Sequence, residues 1–256
     1  HIQQGAFCDL KGRIQALSDV ITSDGYKLLL PLDLVPETMH SLNKTAMVSR
    51  VTLTHNTDFK IYGLRLANTD DVLPLALTYP KEPKTLVNDN GLCCYSLGND
   101  YFLIFIHNDK AHDFSHPFAA KNQLLGDLSW HRLQLEQGRV EIYPNTRGLF
   151  LPHRLDLHRK DYISFDKGCY KGQEIIARMH YKSKLKHQLK QFVIQSSGPL
   201  IAGNTVYDQN GIEVGELIDY SLIHGDRYLI AVSILMDHPN EVRLGNQTVV
   251  SELVAI

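Results

Sequence analysis

Apolar and polar positions alternate and turn over residues 5 to 34 as in a pair of hairpins. Lys11-Gly12 marks one turn and Ser23-Asp24-Gly25 the next, before the apolar run Tyr26 to Leu32. From Pro36 to Val48 the spacing becomes helical, with Pro36 and Glu37 suited to a first turn. Strands are expected at Ser49 to Thr54 and at Phe59 to Leu66, and the stretch Asn68 to Lys84, with Pro74, Pro80 and Pro83, reads as irregular. Leu92 to Leu97 and Tyr101 to His107 are rich in Tyr, Phe, Ile and Leu, and form a hairpin about Gly98-Asn99-Asp100. Residues 109 to 129 hold at most a short helix. Ile175, Ile176 and Met179 share one face of the run Gln173 to Tyr181, with Glu174 four residues before Arg178 on another, which predicts a short amphipathic helix. Beyond Lys190 short strands are punctuated by Gly198-Pro199, Gly203-Asn204, Asn210-Gly211, His224-Gly225-Asp226 and Gly245-Asn246, the texture of a small antiparallel barrel or sandwich. The pattern therefore predicts an α+β region over 1–186, built of two subdomains, and a β-barrel over 187–256, with the boundary between 183 and 190.

A chain of 256 residues is long enough for two such units, since single cores stop growing near ~250 residues. With 43% hydrophobic and 21% charged residues, neither a disordered nor a fibrous class fits. A net charge of −2 excludes a generally basic nucleic-acid binder but not a local patch. One exists between Lys167 and Lys190, where seven Lys and Arg face a single acidic residue, Glu174. Such a patch suits phosphates or a polyglutamyl tail, and a solvated face is the plainer reading. No apolar run approaches the ~20 residues of a membrane span, so no membrane partner is expected. Cysteines at 8, 93, 94 and 169 form no Cys-x-x-Cys, and a reducing cytosol suits them. In a strand, Cys93 and Cys94 point to opposite faces, one into the core and one to its lining.

Candidate chemistry gathers in Lys167-Gly168-Cys169-Tyr170-Lys171-Gly172-Gln173-Glu174. Gly168 and Gly172 allow a tight turn around Cys169 and a close approach of backbone to a ligand or partner. A thiol placed between two lysines and ahead of a helix is a candidate functional group; a buried structural cysteine at a glycine turn is the alternative that spacing leaves open. Dinucleotide and phosphate-loop glycine motifs are missing, so nucleotide chemistry lacks its usual support. Thirteen histidines are present, and His107, His112 and His116 with Asp109 and Asp113 have no known ligand spacing, so no metal is expected. His153, His158 and His180 are the histidines nearest Cys169 in sequence, Arg147 and Arg154 could meet a carboxylate, and none of these is singled out by spacing alone.

The octapeptide resembles the Lys-Gly-Cys-Tyr/Phe-x-Gly-Gln-Glu signature of the YgfZ-type folate-binding proteins, relatives of the glycine-cleavage aminomethyltransferase. Phe7-Cys8-Asp9-Leu10-Lys11-Gly12-Arg13 is similar to that family's early Cys-Asp-x-Lys-Gly-Lys/Arg hairpin, and Leu135-Glu136-Gln137-Gly138 resembles the Leu/Ile-Glu-Ala-Gly of the aminomethyltransferases, with Gln at 137 in place of Ala. Tyr181 to His187 keeps the basic character that follows the signature but not its glycine. The family carries a segment before the Cys-Asp hairpin, so a leading segment is expected to be missing ahead of His1. The resemblance implies an aminomethyltransferase-like folate-binding fold in the cytoplasm. It implies tetrahydrofolate or a derivative as cofactor and iron-sulfur proteins of tRNA modification as partners. It places Glu136 at the pterin and makes Cys169 the functional thiol. Lys167, Tyr170, Lys171, Gln173 and Arg178 are then the cofactor-binding set, with Lys182 a further candidate for the glutamyl tail. Two further readings stay open: a folate-dependent transferase of aminomethyl units, against which Cys169 stands where the enzymes carry an acidic residue, and direct tRNA binding by the basic patch.

Overall fold

A computed structural model describes residues 2–22, 25–68, 72–89, 91–237, 241–245 and 252–253. Two compact units divide the chain, one of residues 1–3, 19–29 and 39–126, the other of residues 4–18, 30–38 and 127–256. Strands β1 (Ile2–Cys8), β2 (Ile14–Thr22) and β3 (Tyr26–Leu29) form a sheet in that order, and β2 passes from one unit into the other. Ser23 and Asp24 of the expected turn lie outside the described residues.

In the first unit, β4 (Phe59–Arg65), β5 (Leu86–Asp89), β6 (Leu92–Gly98) and β7 (Tyr101–His107) form an antiparallel sheet ordered β4-β7-β6-β5. The β6–β7 hairpin turns through Asn99 and Asp100, both at positive φ (52° and 63°), the geometry a two-residue loop needs to match strand twist. Cys94 is buried and Cys93 half-buried, as alternation along β6 requires. Helix α1 (Val35–Val48) begins one residue before the expected start. The strand expected at Ser49 to Thr54 is absent. Instead Arg50 takes a left-handed φ of 56°, and the amides of Arg50 and Val51 bond back to Met47 and Ala46, a helix-terminating motif. Val51 is exposed, so the β-branched run beyond it has no sheet to enter. Residues 109 to 129 are more helical than expected: they hold α2 (Ala111–Ala120) and the start of α3 (Asp127–Glu136). Ala111, Phe114 and Phe118, at i, i+3 and i+7, pack α2 onto the sheet core beside Tyr62, and Pro117 is tolerated inside it.

The second unit holds α3, α4 (Gln173–Lys182) and a six-stranded antiparallel sheet made entirely of residues beyond 186. Its strands are β8 (His187–Gln195), β9 (Thr205–Tyr207), β10 (Glu213–His224), β11 (Arg227–Leu235), β12 (Arg243–Leu244) and β13 (Glu252–Leu253), in the order β12-β9-β10-β11-β8-β13. The expected barrel is thus an antiparallel sheet with β12 and β13 at its described edges, on an α+β chain. Of the expected turns, Gly225-Asp226 closes β10 onto β11, while Asn246 lies outside the described residues. One cluster of buried side chains, Phe192, Val206, Leu217, Ile230 and Val232 among them, fills this sheet; another joins Ile14, Leu34, Leu135, Phe150 and Leu155 to Leu189, Ile218 and Ala231. Burial on this scale stabilises each unit by roughly 25 cal/mol per Å² of apolar surface.

Candidate functional site

The two stretches that carry the resemblance are locked together in the second unit. Asp9 shapes a turn by accepting the amides of Lys11 (2.8 Å) and Arg13 (2.9 Å) on its Oδ1 and that of Gly12 (3.0 Å) on its carbonyl. Gly172, at φ 83°, caps α4 and lies directly on this turn. A Cβ there would stand 2.5 Å from the Asp9 carbonyl oxygen and 2.7 Å from the Gly12 Cα. Gly12 is as tightly held: at φ 73°, a Cβ on it would come within 3.1 Å of Ile176 Cγ1. Ile176 is buried and anchors α4, while the amide of Ile176 bonds to the Gly172 carbonyl at 3.2 Å. The glycines are therefore required by close backbone packing of signature on turn as well as by conformation.

This packing presents the loop ahead of α4. Cys169 is exposed, which sets aside the buried structural thiol. Lys167 Nζ lies 4.6 Å from the centre of the Tyr170 ring, over its face. The Tyr170 amide reaches Gln173 Oε1 at 3.4 Å, and the Tyr170 hydroxyl is buried without a hydrogen-bond partner among the described residues. Burial, with the Cys8 thiol and the Tyr181 phenol nearby, pushes the Tyr170 phenol up. Burial and then Asp9 push the Cys8 thiol up to about 12, with Lys167 partly offsetting them. Cys8 is thus the half-buried thiol of this corner and Cys169 the exposed one. Lys171 and Arg178 are exposed, as is Lys182, and so free to meet anions.

Glu136 ends α3 in a different setting, half in solvent, with its Oε1 3.2 Å from Arg132 Nε one helical turn earlier. Arg147 and Arg154 do meet carboxylates, but the protein's own. Arg147 binds Glu37 at 3.1 Å, and Arg154 forks onto both oxygens of Glu216 while donating to Ser233 Oγ at 3.0 Å. Arg154 therefore ties the loop after Pro152 to β10 and β11.

Sequence reading missed a buried ionic network. His131 on α3 donates from Nε2 to Asp219 Oδ1 on β10 at 3.0 Å, and its Nδ1 lies 3.7 Å from Glu141. Asp219, 0% exposed, also accepts the Tyr143 hydroxyl (2.6 Å) and the amides of Glu141 and Tyr220 (2.8 Å each). Burial alone would lower the His131 pKa; the hydrogen bonds to Asp219 and Glu141 outweigh it and raise it to about 10. It missed as well that His153, His158 and His180 gather in space, with ring centres 4.9 to 6.3 Å apart. No local motif signals either group.

No family model matches the chain. Curated relatives do: the tRNA-modifying protein YgfZ of Yersinia pseudotuberculosis (strain IP 31758) is 26% identical over 210 residues, 80% of this chain and 64% of the relative. That of Klebsiella pneumoniae (strain 342) is 28% identical over 188 residues, 72% and 58%. The chain is similar to the YgfZ proteins. It spans about 64% of the length of the Yersinia relative it matches. The glycine cleavage system aminomethyltransferase T of Bartonella henselae superposes with a TM-score of 0.58 at 13% identity, over all of this chain and 75% of that one. That likeness gives the fold, aminomethyltransferase-like, and agrees with the resemblance read from the signature. No helix among the described residues is long and apolar enough to cross a membrane.

Proposed function

We propose that this protein is a folate-binding accessory factor, working in the cytoplasm, that supports iron-sulfur enzymes and through them tRNA modification. Cys169 is its functional thiol, at the mouth of a tetrahydrofolate site. The observation that carries the reading is the interlock of Gly172 on the Asp9–Gly12 turn, which leaves Cys169 exposed between Lys167 and Lys171. The name of the relatives and the fold of the aminomethyltransferase support it. In this reading the Glu136 carboxylate accepts paired hydrogen bonds from the pterin, for which it would leave Arg132. Lys171 and Arg178 hold the glutamyl tail, and Lys167, Tyr170 and Gln173 shape the approach to the thiol. We further propose that residues 187–256, which supply every strand of the six-stranded sheet, are a C-terminal domain that follows the 1–186 region in the chain and shares a buried core with it.

Two variants test the reading. Cys169→Ala is expected to stay folded and to bind tetrahydrofolate while losing support of iron-sulfur tRNA-modifying enzymes in cells; full support by a stable variant overturns the role of the thiol. Glu136→Gln is expected to weaken tetrahydrofolate binding by calorimetry by about 1.5 to 3 kcal/mol, roughly ten- to a hundredfold or more, with little change in melting temperature. Unchanged affinity would remove Glu136 from the site. Turnover of an aminomethyl donor would replace the accessory reading with the transferase one.

A further inference from the structure

The end of α4 and the segment behind it carry cations that the fold itself does not use. Lys182 closes α4, and Lys184 and Lys186 follow in the stretch that leads into β8; all three are exposed. No carboxylate among the described residues pairs with any of them, whereas Arg147 and Arg154 of the same unit are taken up by Glu37 and Glu216. Arg178, exposed one helical turn before Lys182, continues the run toward the signature loop, and Glu174 is the one acidic residue between Lys167 and Lys190. On a chain whose net charge is −2, such a run attracts a polyanion to one place rather than to the whole surface.

A second, independent observation is aromatic. Tyr181 lies beside these lysines and is 66% exposed, yet its ring is braced. It stands at 70° to Phe165 and at 84° to His180, with ring centres 5.8 Å and 4.7 Å away, and those two rings stack on each other at 3.8 Å and 19°. His180 in turn backs onto the buried His153, ring centres 6.1 Å apart. A ring held in one orientation and open to solvent loses little freedom when it takes a partner, and a planar partner suits it.

We propose that this surface, Tyr181 flanked by Lys182, Lys184 and Lys186, docks single-stranded RNA. An unpaired base stacks on the Tyr181 ring, and the lysines neutralise the neighbouring phosphates. A carboxylate-rich protein segment answers the lysines but not the ring, whereas an aromatic platform beside cations holds a single strand without reading its sequence. A duplex keeps its bases stacked inside and offers the ring no face, so an unpaired stretch is required. The inference rests on the accessory reading for the choice of RNA as the strand, because a factor that supports tRNA modification works beside RNA. It goes further in making RNA a direct partner, where that reading reaches it only through the enzymes.

The test is fluorescence anisotropy of a labelled single-stranded RNA of about 12 nucleotides, titrated with the full chain between about 50 and 200 mM salt. Binding is expected, with log affinity falling against log salt. The slope should shrink by about 1.4 in K184A/K186A, two fewer phosphates neutralised at about 0.7 each. Tyr181→Ala should weaken binding about fivefold or more and Tyr181→Phe should restore it, in variants whose melting temperature matches the parent. No binding at about 50 mM salt overturns the proposal. So does an affinity unchanged in Tyr181→Ala, equal affinity for the duplex of the same sequence, or polyglutamate competing as well as the RNA. The assay contains neither folate nor an iron-sulfur enzyme, so its failure sinks the RNA surface alone, while full cellular support by Cys169→Ala sinks the role of the thiol alone.

Discussion

Two histidines of the second unit have opposite fates: His131, whose side chain is 15% exposed, and His153, which is 1% exposed. His131 is bracketed by carboxylates, Asp219 at 3.0 Å and Glu141 at 3.7 Å, and is held as an imidazolium to about 10. His153 has rings around it, His158, His180 and Phe165, and no hydrogen-bond partner on either nitrogen among the described residues; burial holds it neutral. Depth alone does not decide the charge of a buried histidine. The chemistry of the first neighbour does, because desolvation penalises the cation in both places and only a paired, hydrogen-bonded carboxylate outweighs it. The first arrangement is finished and belongs to the fold. The second leaves two buried nitrogens without a hydrogen-bond partner among the described residues.

The largest expected effect breaks the finished side. Asp219→Ala strands the His131 cation and leaves the Tyr143 hydroxyl and two amides without their acceptor. A loss of about 3 to 5 kcal/mol is expected by denaturant unfolding at pH 7. A loss under about 1 kcal/mol would mean that the network contributes little beyond packing.

These relationships explain what could be read from the chain and what could not. Cys169, Gly172 and Gln173 are neighbours in sequence, so the turn and the helix were legible in eight residues, whereas spacing left open whether the thiol is buried and the packing of the turn shows it exposed. The β6–β7 hairpin was legible because Asn99-Asp100 encodes its own turn. His131 and Asp219 are 88 residues apart, and nothing local marks either as the other's partner. His153, His158 and His180 lie near one another in sequence, yet their meeting depends on how two 3-10 turns pack against α4. Ser49 to Thr54 misled because β-branched residues describe a strand only where a neighbouring strand exists. Arg154 looked free for a ligand because Glu216, 62 residues on, is invisible to spacing.

The second prediction sets the two histidines against each other in pH. A folded value raised to about 10 means that the His131 contribution is complete below its ordinary 6.5 and is lost as pH rises through 10. A folded value lowered to about 4 means that His153 contributes fully above 6.5, and that stability falls as pH drops toward 4, with His158 and His187, both lowered by burial, adding to that limb. The two limbs meet near pH 6.5, where stability should peak. Measured as differences from the parent, Asp219→Ala should flatten the alkaline limb and leave the acid limb in place. A penalty for Asp219→Ala that stays constant from pH 7 to 10 would contradict a charged His131.

The smallest expected effect is the most discriminating. His153→Leu keeps roughly the volume of the side chain and removes two buried nitrogens that make no hydrogen bond among the described residues, so no partner there is stranded by the change. At pH 7 the variant should lie within about 1 kcal/mol of the parent, since the desolvation relieved offsets the packing disturbed. At pH 5 it should be the more stable of the two, because a leucine takes up no proton on unfolding. A loss beyond about 2 kcal/mol would show that His153 is hydrogen-bonded in the native protein, and would place it beside His131 as a finished part of the fold.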